Sequence, residues 1–360
     1  MSEESALRER LGRSRKVIVK VGSKSLAGDA WQRLANEVRA LRDENREVVI
    51  VSSGAIALGV QRLGLKSRPR DMSWLQAAAA AGQSTLMQRW EAAFEPVGLT
   101  AAQVLLTHAD LADRARTNNA QSALAALLEA GAVPIINEND AVAIDEIKFG
   151  DNDQLASMVV PLVGADLLLL LSDVEGLLDD KGQRVSLVRS FAKDARPFAE
   201  GSKSGVGTGG MTSKIEAARR ATLAGASVVI APARAPSVIA RVLAGEDVGT
   251  LFPAVLQRLG ARKHWIAFTL RPKGALVLDQ GAAAAVLKNR SVLAVGVLGV
   301  RGTFGAGDSV SLFDVSGREI GRGLVQLSAV DAARAAGRKV EGEASPEVVH
   351  KDDLVLLPEE

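Results

Sequence analysis

At 360 residues the chain is longer than one hydrophobic core usually organises, so two domains, or one large and one small, are expected. Its 47% apolar content suffices for a buried sheet, and 44 basic against 42 acidic residues, a net charge of +2, give no support for a general nucleic-acid or membrane surface and favour small molecules or other subunits as partners. The absence of cysteine removes disulfides, thiolate nucleophiles and cysteine metal sites, which fits a cytoplasmic protein.

The segment Met1 to Lys16 is polar and highly charged and lacks the apolar run of a signal peptide. Lys16 to Ser23, K-V-I-V-K-V-G-S, reads as a β-branched strand ending in small residues, with Lys20 set into an apolar run. On an edge strand such a lysine needs no explanation. On a central strand it must find an anion. Asp29 is placed to cap a helix whose apolar positions Trp31, Leu34, Ala35, Val38 and Leu41 follow helical spacing. Val48 to Ser52 is the next strand, and Ser52-Ser53-Gly54-Ala55 forms the turn into a helix running to about Leu63. The amides and hydroxyls of that turn face the carboxyl edge of the sheet, as an ordinary serine cap or as a cradle for an anion. An alanine-rich helix from about Ser73 to Phe94, a strand Ala102 to Thr107, a helix Asn118 to Ala130 and a strand Val133 to Asn137 continue the alternation, which predicts a parallel sheet covered by helices.

Ile135 to Asp153 ends that strand in a dense polar stretch of six acids, three asparagines and one lysine. Carboxylates and amides are costly to bury without partners, so the stretch is either a solvated turn or a ligand wall. Its two clusters, Asn137-Glu138-Asn139-Asp140 and Asp151-Asn152-Asp153, bracket an apolar interval and could face one ligand from two sides. Gln154 to Val163 is then helical, and Leu167 to Leu171 is an uninterrupted apolar run ending at Ser172-Asp173, as on a central strand covered on both faces.

Gly201 to Lys214 is glycine-rich and leads into a helix, Met211 to Ala224. Glycines 205, 207 and 210 satisfy G-x-G-x-x-G, but the loop follows polar sequence instead of a strand, and no acid closes the next strand, Val228 to Ala231. No G-K-[ST] occurs, so there is no Walker A loop either. The loop's amides could wrap phosphate oxygens, with Lys214 one turn into the helix and able to reach the same anion. A domain boundary is expected near Leu259, giving domains 1–259 and 266–360. Past it lie the short strands Ala275 to Leu278, Val292 to Val300 and Ser309 to Val315 of a small, mostly β domain. That domain holds 11 basic and 12 acidic side chains, which does not favour RNA. His108, His264 and His350 lie far apart without ligand spacing and read as structural or surface residues, and no metal ligands are assigned.

Two lysines, Lys20 and Lys214, beside a phosphate cradle suit phosphoryl transfer, where catalysis is mainly alignment and neutralisation of charge. Asp153 could pair with both. No general base is evident, and an acceptor already anionic at neutral pH, such as a carboxylate, needs none.

Together, K-V-G-S at 20 to 23, S-S-G-A-I-A at 52 to 57, I-N-E-N-D-A-V at 136 to 142, G-D-N-D at 150 to 153, L-L-L-L-S-D at 168 to 173 and G-T-G-G-M-T-S-K at 207 to 214 resemble the glutamate 5-kinases of the amino acid kinase family. D-Q-G-A-A-A-A-V-L at 279 to 287 and G-D-S-V-S-L at 307 to 312 resemble the PUA domain. The resemblance implies an α/β fold with an open, mainly parallel sheet between helix layers, followed by a PUA-like domain. It further implies transfer of the γ-phosphate of ATP, with Mg2+, to the side-chain carboxylate of L-glutamate, the first step of proline biosynthesis. By position it places Lys20, Lys214 and Asp153 on catalysis and Ser53, Asp140, Asn152, Asn137 and Asp151 on glutamate. Lys20, Gly22, Ser172, Asp173, Thr208, Gly209, Gly210, Met211, Thr212, Ser213 and Lys214 fall on ATP. Feedback inhibition by proline, a homo-oligomer and hand-over to a γ-glutamyl phosphate reductase are implied as well, with no membrane partner.

The sequence departs from that pattern at Lys24, a cation where a small hydroxyl residue is usual, and at Leu177 to Arg184, which lacks the usual tyrosine. The alternatives are another kinase of this fold, acting on acetylglutamate, aspartate, carbamate or a nucleoside monophosphate, and an RNA-binding PUA protein. The two asparagine–acid clusters and the added β domain favour glutamate over the first, and the neutral charge disfavours the second.

Overall fold

The computed structural model describes residues 2–142, 152–199, 210–255, 258–338 and 345–357. Residues 143–151 of the acidic stretch, with Asp151, and 200–209 of the glycine loop, with Thr208 and Gly209, lie outside the described residues. The chain divides into two compact units, Met1–Arg258 and Leu259–Glu360.

The first unit is a seven-stranded sheet in the order β3-β4-β2-β1-β5-β6-β7, built from β1 (Lys16–Val21), β2 (Glu47–Ser52), β3 (Ala101–Leu106), β4 (Val133–Glu138), β5 (Leu167–Ser172), β6 (Ser227–Pro232) and β7 (Thr250–Phe252). All neighbours run parallel except β6 and β7. β1 is the central strand, with Lys20 opposite Val51 on one side and Leu170 on the other.

Strand alternation sorts the side chains into two cores. Val17, Val19 and Val21 of β1 pack with α2 (Ala30–Asp43) and α4 (Met72–Phe94) on one face. Ile18 points to the opposite face, against α5 (His108–Ala112), α6 (Arg114–Glu129), α7 (Asn152–Val163) and α8 (Met211–Leu223). Lys20, two residues after Ile18, therefore emerges beneath α7 and α8 at the carboxyl end of the sheet.

Several expectations shift in detail. Asp29 occupies the N-cap position of α2 but makes no side-chain cap bond, because its backbone is helical (ψ −2°) instead of extended. The helix expected from Asn118 starts at Arg114, because Asp113 accepts the amide of Arg116 at 2.9 Å. α7 begins two residues earlier than expected, so Asn152 and Asp153 belong to its first turn, where a carboxylate suits the helix dipole.

The charged N-terminal segment forms α1 (Glu3–Leu11), whose Arg8 is 2% exposed. Its guanidinium is satisfied by Glu4 and Asp247 and by the carbonyls of Ser186, Glu246, Val248 and Gly249. A short α3 (Ala55–Arg62) crosses α4 at two glycines. A Cβ on Gly59 would stand 1.7 Å from the carbonyl oxygen of Ala78, and one on Gly82 1.8 Å from that of Ala55.

The second unit holds a six-stranded sheet, order β10-β8-β11-β12-β13-β9. Its strands are β8 (Gly274–Leu278), β9 (Val292–Leu293), β10 (Val297–Gly302), β11 (Ser309–Phe313), β12 (Glu319–Val325) and β13 (Glu347–Leu356). The run Val292 to Val300, expected as one strand, is broken by a turn of 3-10 helix at Ala294–Gly296, because β9 and β10 lie on opposite edges of this sheet. His264 is buried here against Phe268, ring centroids 5.0 Å apart. No helix among the described residues is long and apolar enough to cross a membrane.

Candidate active site

A cavity of about 250 Å³ opens at the carboxyl ends of β1, β2, β4 and β5. At its floor Asp153, fully buried, receives Lys20 Nζ at 2.6 Å on one oxygen and Lys214 Nζ at 2.9 Å on the other. Each partner is where its element puts it. Lys20 follows the alternation of β1, and Lys214 sits on the buried stripe of α8 with Met211, Ala217, Ala218 and Ala221. Burial works against ionisation of Asp153, and the two ammonium groups outweigh it, holding the carboxyl below its ordinary range. Lys20 and Lys214 also line the cavity, so both present charge to whatever occupies it.

Ser53, Gly54, Asn137, Asn152 and Asp140 gather on the β2 and β4 side of the cavity. Gly54 takes a left-handed conformation, φ 119°, which turns the chain sharply from β2 into α3. The Asn152 amide donates to Ser53 Oγ at 2.8 Å, Asn137 Oδ1 at 2.9 Å and the Ser52 carbonyl at 3.2 Å. Asn137 in turn donates to Gln83 Oε1 at 2.9 Å, and Gln83 to Gln103 Oε1 at 3.1 Å. The side-chain amides thus form a relay that donates in one direction, from Asn152 away from the cavity to Gln103. Trp90 Nε1 fixes Ser52 Oγ at 3.1 Å from beneath.

On the opposite side Gly22, Ser172 and Asp173 line the cavity, and Lys24 faces Asp173 at 3.6 Å. Asp173 is held below the usual carboxylate range: partial burial opposes this, but its own amide, the Ser172 hydroxyl and Lys24 together prevail. The structure thus brings Lys20, Asp153, Lys214, Ser53, Asn137, Asn152, Asp140, Gly22, Ser172 and Asp173 to one place. Gly210, Met211, Thr212 and Ser213 do not line the cavity, and the Met211 side chain is buried in the core under α8.

Sequence reasoning missed Gln83, Trp90 and Arg68, the last of which lines the cavity from the connection between α3 and α4. Gln83 is one of three glutamines in its alanine-rich helix, and nothing in the sequence sets it apart from Gln76 and Gln88. Nothing in the segment Ser67-Arg68-Pro69-Arg70 marks Arg68 apart from an ordinary surface arginine.

Similarity to known proteins covers most of the chain. Residues 15–232 match the amino acid kinase family and residues 274–342 the PUA domain. Curated relatives named glutamate 5-kinase include those of Myxococcus xanthus (45% identity, covering 99% of this chain and 100% of the relative), Thermus thermophilus (46%, 96% and 98%) and Streptomyces coelicolor (47%, 97% and 98%). Among solved structures, the N-acetylglutamate synthase of Neisseria gonorrhoeae superposes with a TM-score of 0.51 at 17% identity, over 69% of this chain. The chain spans 62% of that protein's length, and at this identity the likeness carries the fold alone. A parallel sheet with two lysines and a buried aspartate at its carboxyl edge, and relatives matched from end to end, lead to one assignment: the chain belongs to the glutamate 5-kinases of the amino acid kinase family and carries a C-terminal PUA domain.

Proposed function

We propose that the chain transfers the γ-phosphoryl group of ATP to the side-chain carboxylate of L-glutamate, giving γ-glutamyl 5-phosphate, the first step of proline biosynthesis. The observation that carries this reading is the buried Lys20–Asp153–Lys214 cluster at the cavity floor. Asp153 holds two ammonium groups apart yet aimed into one space, where they neutralise charge on a phosphoryl group in flight. The acceptor carboxylate is itself the nucleophile, so the site requires no general base. Ser53, Asn152, Asn137 and Asp140 receive the amino acid on the β2 and β4 side. Gly22, Ser172 and Asp173 receive the nucleotide on the other, and Lys20 and Lys214 stand between.

Magnesium enters with the nucleotide as part of the substrate. There it would be held mainly through the phosphate oxygens and its own waters, since Mg2+ dehydrates reluctantly and takes few protein ligands. The product is an acyl phosphate that water destroys, which gives hand-over to a γ-glutamyl phosphate reductase a chemical reason. Feedback inhibition by proline, self-association and a cytoplasmic location complete the reading.

The test is ADP release with hydroxylamine as a trap, across glutamate, aspartate, acetylglutamate and carbamate. Glutamate should give the hydroxamate with ATP. A hydroxamate from another acceptor and none from glutamate would end this assignment.

A further inference from the structure

Among the described residues four cationic side chains line the cavity, and three are engaged: Lys20 and Lys214 on Asp153, and Lys24 on Asp173. The fourth, Arg68, is exposed and has neither a hydrogen bond nor an ion pair. It reaches the cavity from the connection between α3 and α4, which follows the helix that starts two residues after Ser53, and Ser53 lines the same cavity. Glu138 and Asp140, at and just past the end of β4, line the same cavity.

An α-amino dicarboxylate carries three charges, and each needs an opposite. The reacting carboxylate is matched by Lys20 and Lys214, and the ammonium group by the acids at the end of β4. The α-carboxylate is left, and so is Arg68. A guanidinium offers paired N–H donors in a plane that suits a carboxylate, and a long side chain on an irregular connection can reach it without moving the sheet. We infer that Arg68 pairs with the α-carboxylate of the acceptor, so that the site selects α-amino acids in which both carboxylates are free. This rests on the phosphoryl-transfer reading above and adds to it the feature that rejects α-blocked substrates.

The experiment compares wild type, Arg68→Met and Arg68→Lys at saturating ATP, with L-glutamate and its α-carboxamide, which has the same shape but lacks the charge. Wild type should prefer glutamate. In Arg68→Met the KM for glutamate should rise about tenfold, the low end for losing a charge-assisted hydrogen bond at an exposed site, and the preference for glutamate over the carboxamide should fall to within about twofold. Arg68→Lys should keep part of that preference, while the KM for ATP and the melting temperature stay at wild-type values in both. If Arg68→Met discriminates between the two acceptors as well as wild type does, the inference is wrong. If wild type forms no hydroxamate from glutamate at all, the phosphoryl-transfer reading fails instead.

Discussion

Asp153→Asn tests the centre of the site because it keeps the shape of the side chain and removes only its charge. Two ammonium groups, at 2.6 and 2.9 Å from the carboxylate, would lose their shared counter-ion, and one would face an N–H donor in its place. Asp153 is fully buried, so solvent does not screen the loss. Breaking a buried ion pair from one side costs about 3–5 kcal/mol. In a unit of this length each kcal/mol is worth about 2–4 °C, so the kinase unit should melt roughly 6–20 °C lower. The acid limb of the stability curve should change with it. A carboxyl whose folded pKa is depressed stabilises fully above its unfolded value, about 3.9, and that contribution is lost as pH falls through the folded value. Wild type should therefore lose stability from this group below about pH 4, and the variant should lack that component. Differential scanning calorimetry between pH 3 and pH 8 reads both effects. A melting temperature within about 2 °C of wild type at pH 7, with an unchanged acid limb, would refute the idea that Asp153 holds the lysines.

Two further substitutions probe how the acceptor side is held. Gly82→Ala drives a methyl group to 1.8 Å from the Ala55 carbonyl, so α3 and α4 must separate. The expected loss is about 3 kcal/mol or more, with a higher KM for glutamate because Ala55 follows the Ser53-Gly54 turn; a variant with wild-type stability and kinetics would show that the crossing can relax. Gln83→Leu removes the acceptor that fixes the Asn137 amide, and should raise the KM for glutamate by up to about tenfold, the worth of one hydrogen bond, with the KM for ATP within twofold of wild type. Equal changes in both KM values would count against this division of the cavity.

The parallel sheet and the small β unit were legible because strand alternation, helical spacing and turn residues repeat over long segments. Lys20 could be singled out for a local reason: a charge in an apolar strand asks for a partner. Asn152 and Asp153 were placed at the edge of a loop because caps are short-range signals, whereas what starts α7 there is a set of contacts to Ser53, Asn137, Lys20 and Lys214, from distant parts of the chain. Burial of Arg8 was invisible for the same reason: Glu4, four residues away, could be read as an ordinary helix pair, whereas Asp247 and the carbonyls that enclose the guanidinium come from the far end of the unit. Gln83 and Arg68 owe their positions to the crossing of α3 and α4 and to the connection between them, which only the packed glycines reveal.

The caging of Arg8 has a consequence for how the protein is made. Its guanidinium is held by carbonyls at residues 186, 246, 248 and 249, so a nascent chain that has not yet emerged past Gly249 offers it no such enclosure. The same synthesis must reach Lys214 before the Asp153 carboxylate has both of its cations. Synthesis therefore supplies both cations of Asp153 before the last acceptors of Arg8, and contacts spanning some 240 residues put the enclosure of the N-terminal helix among the last that the growing chain can make.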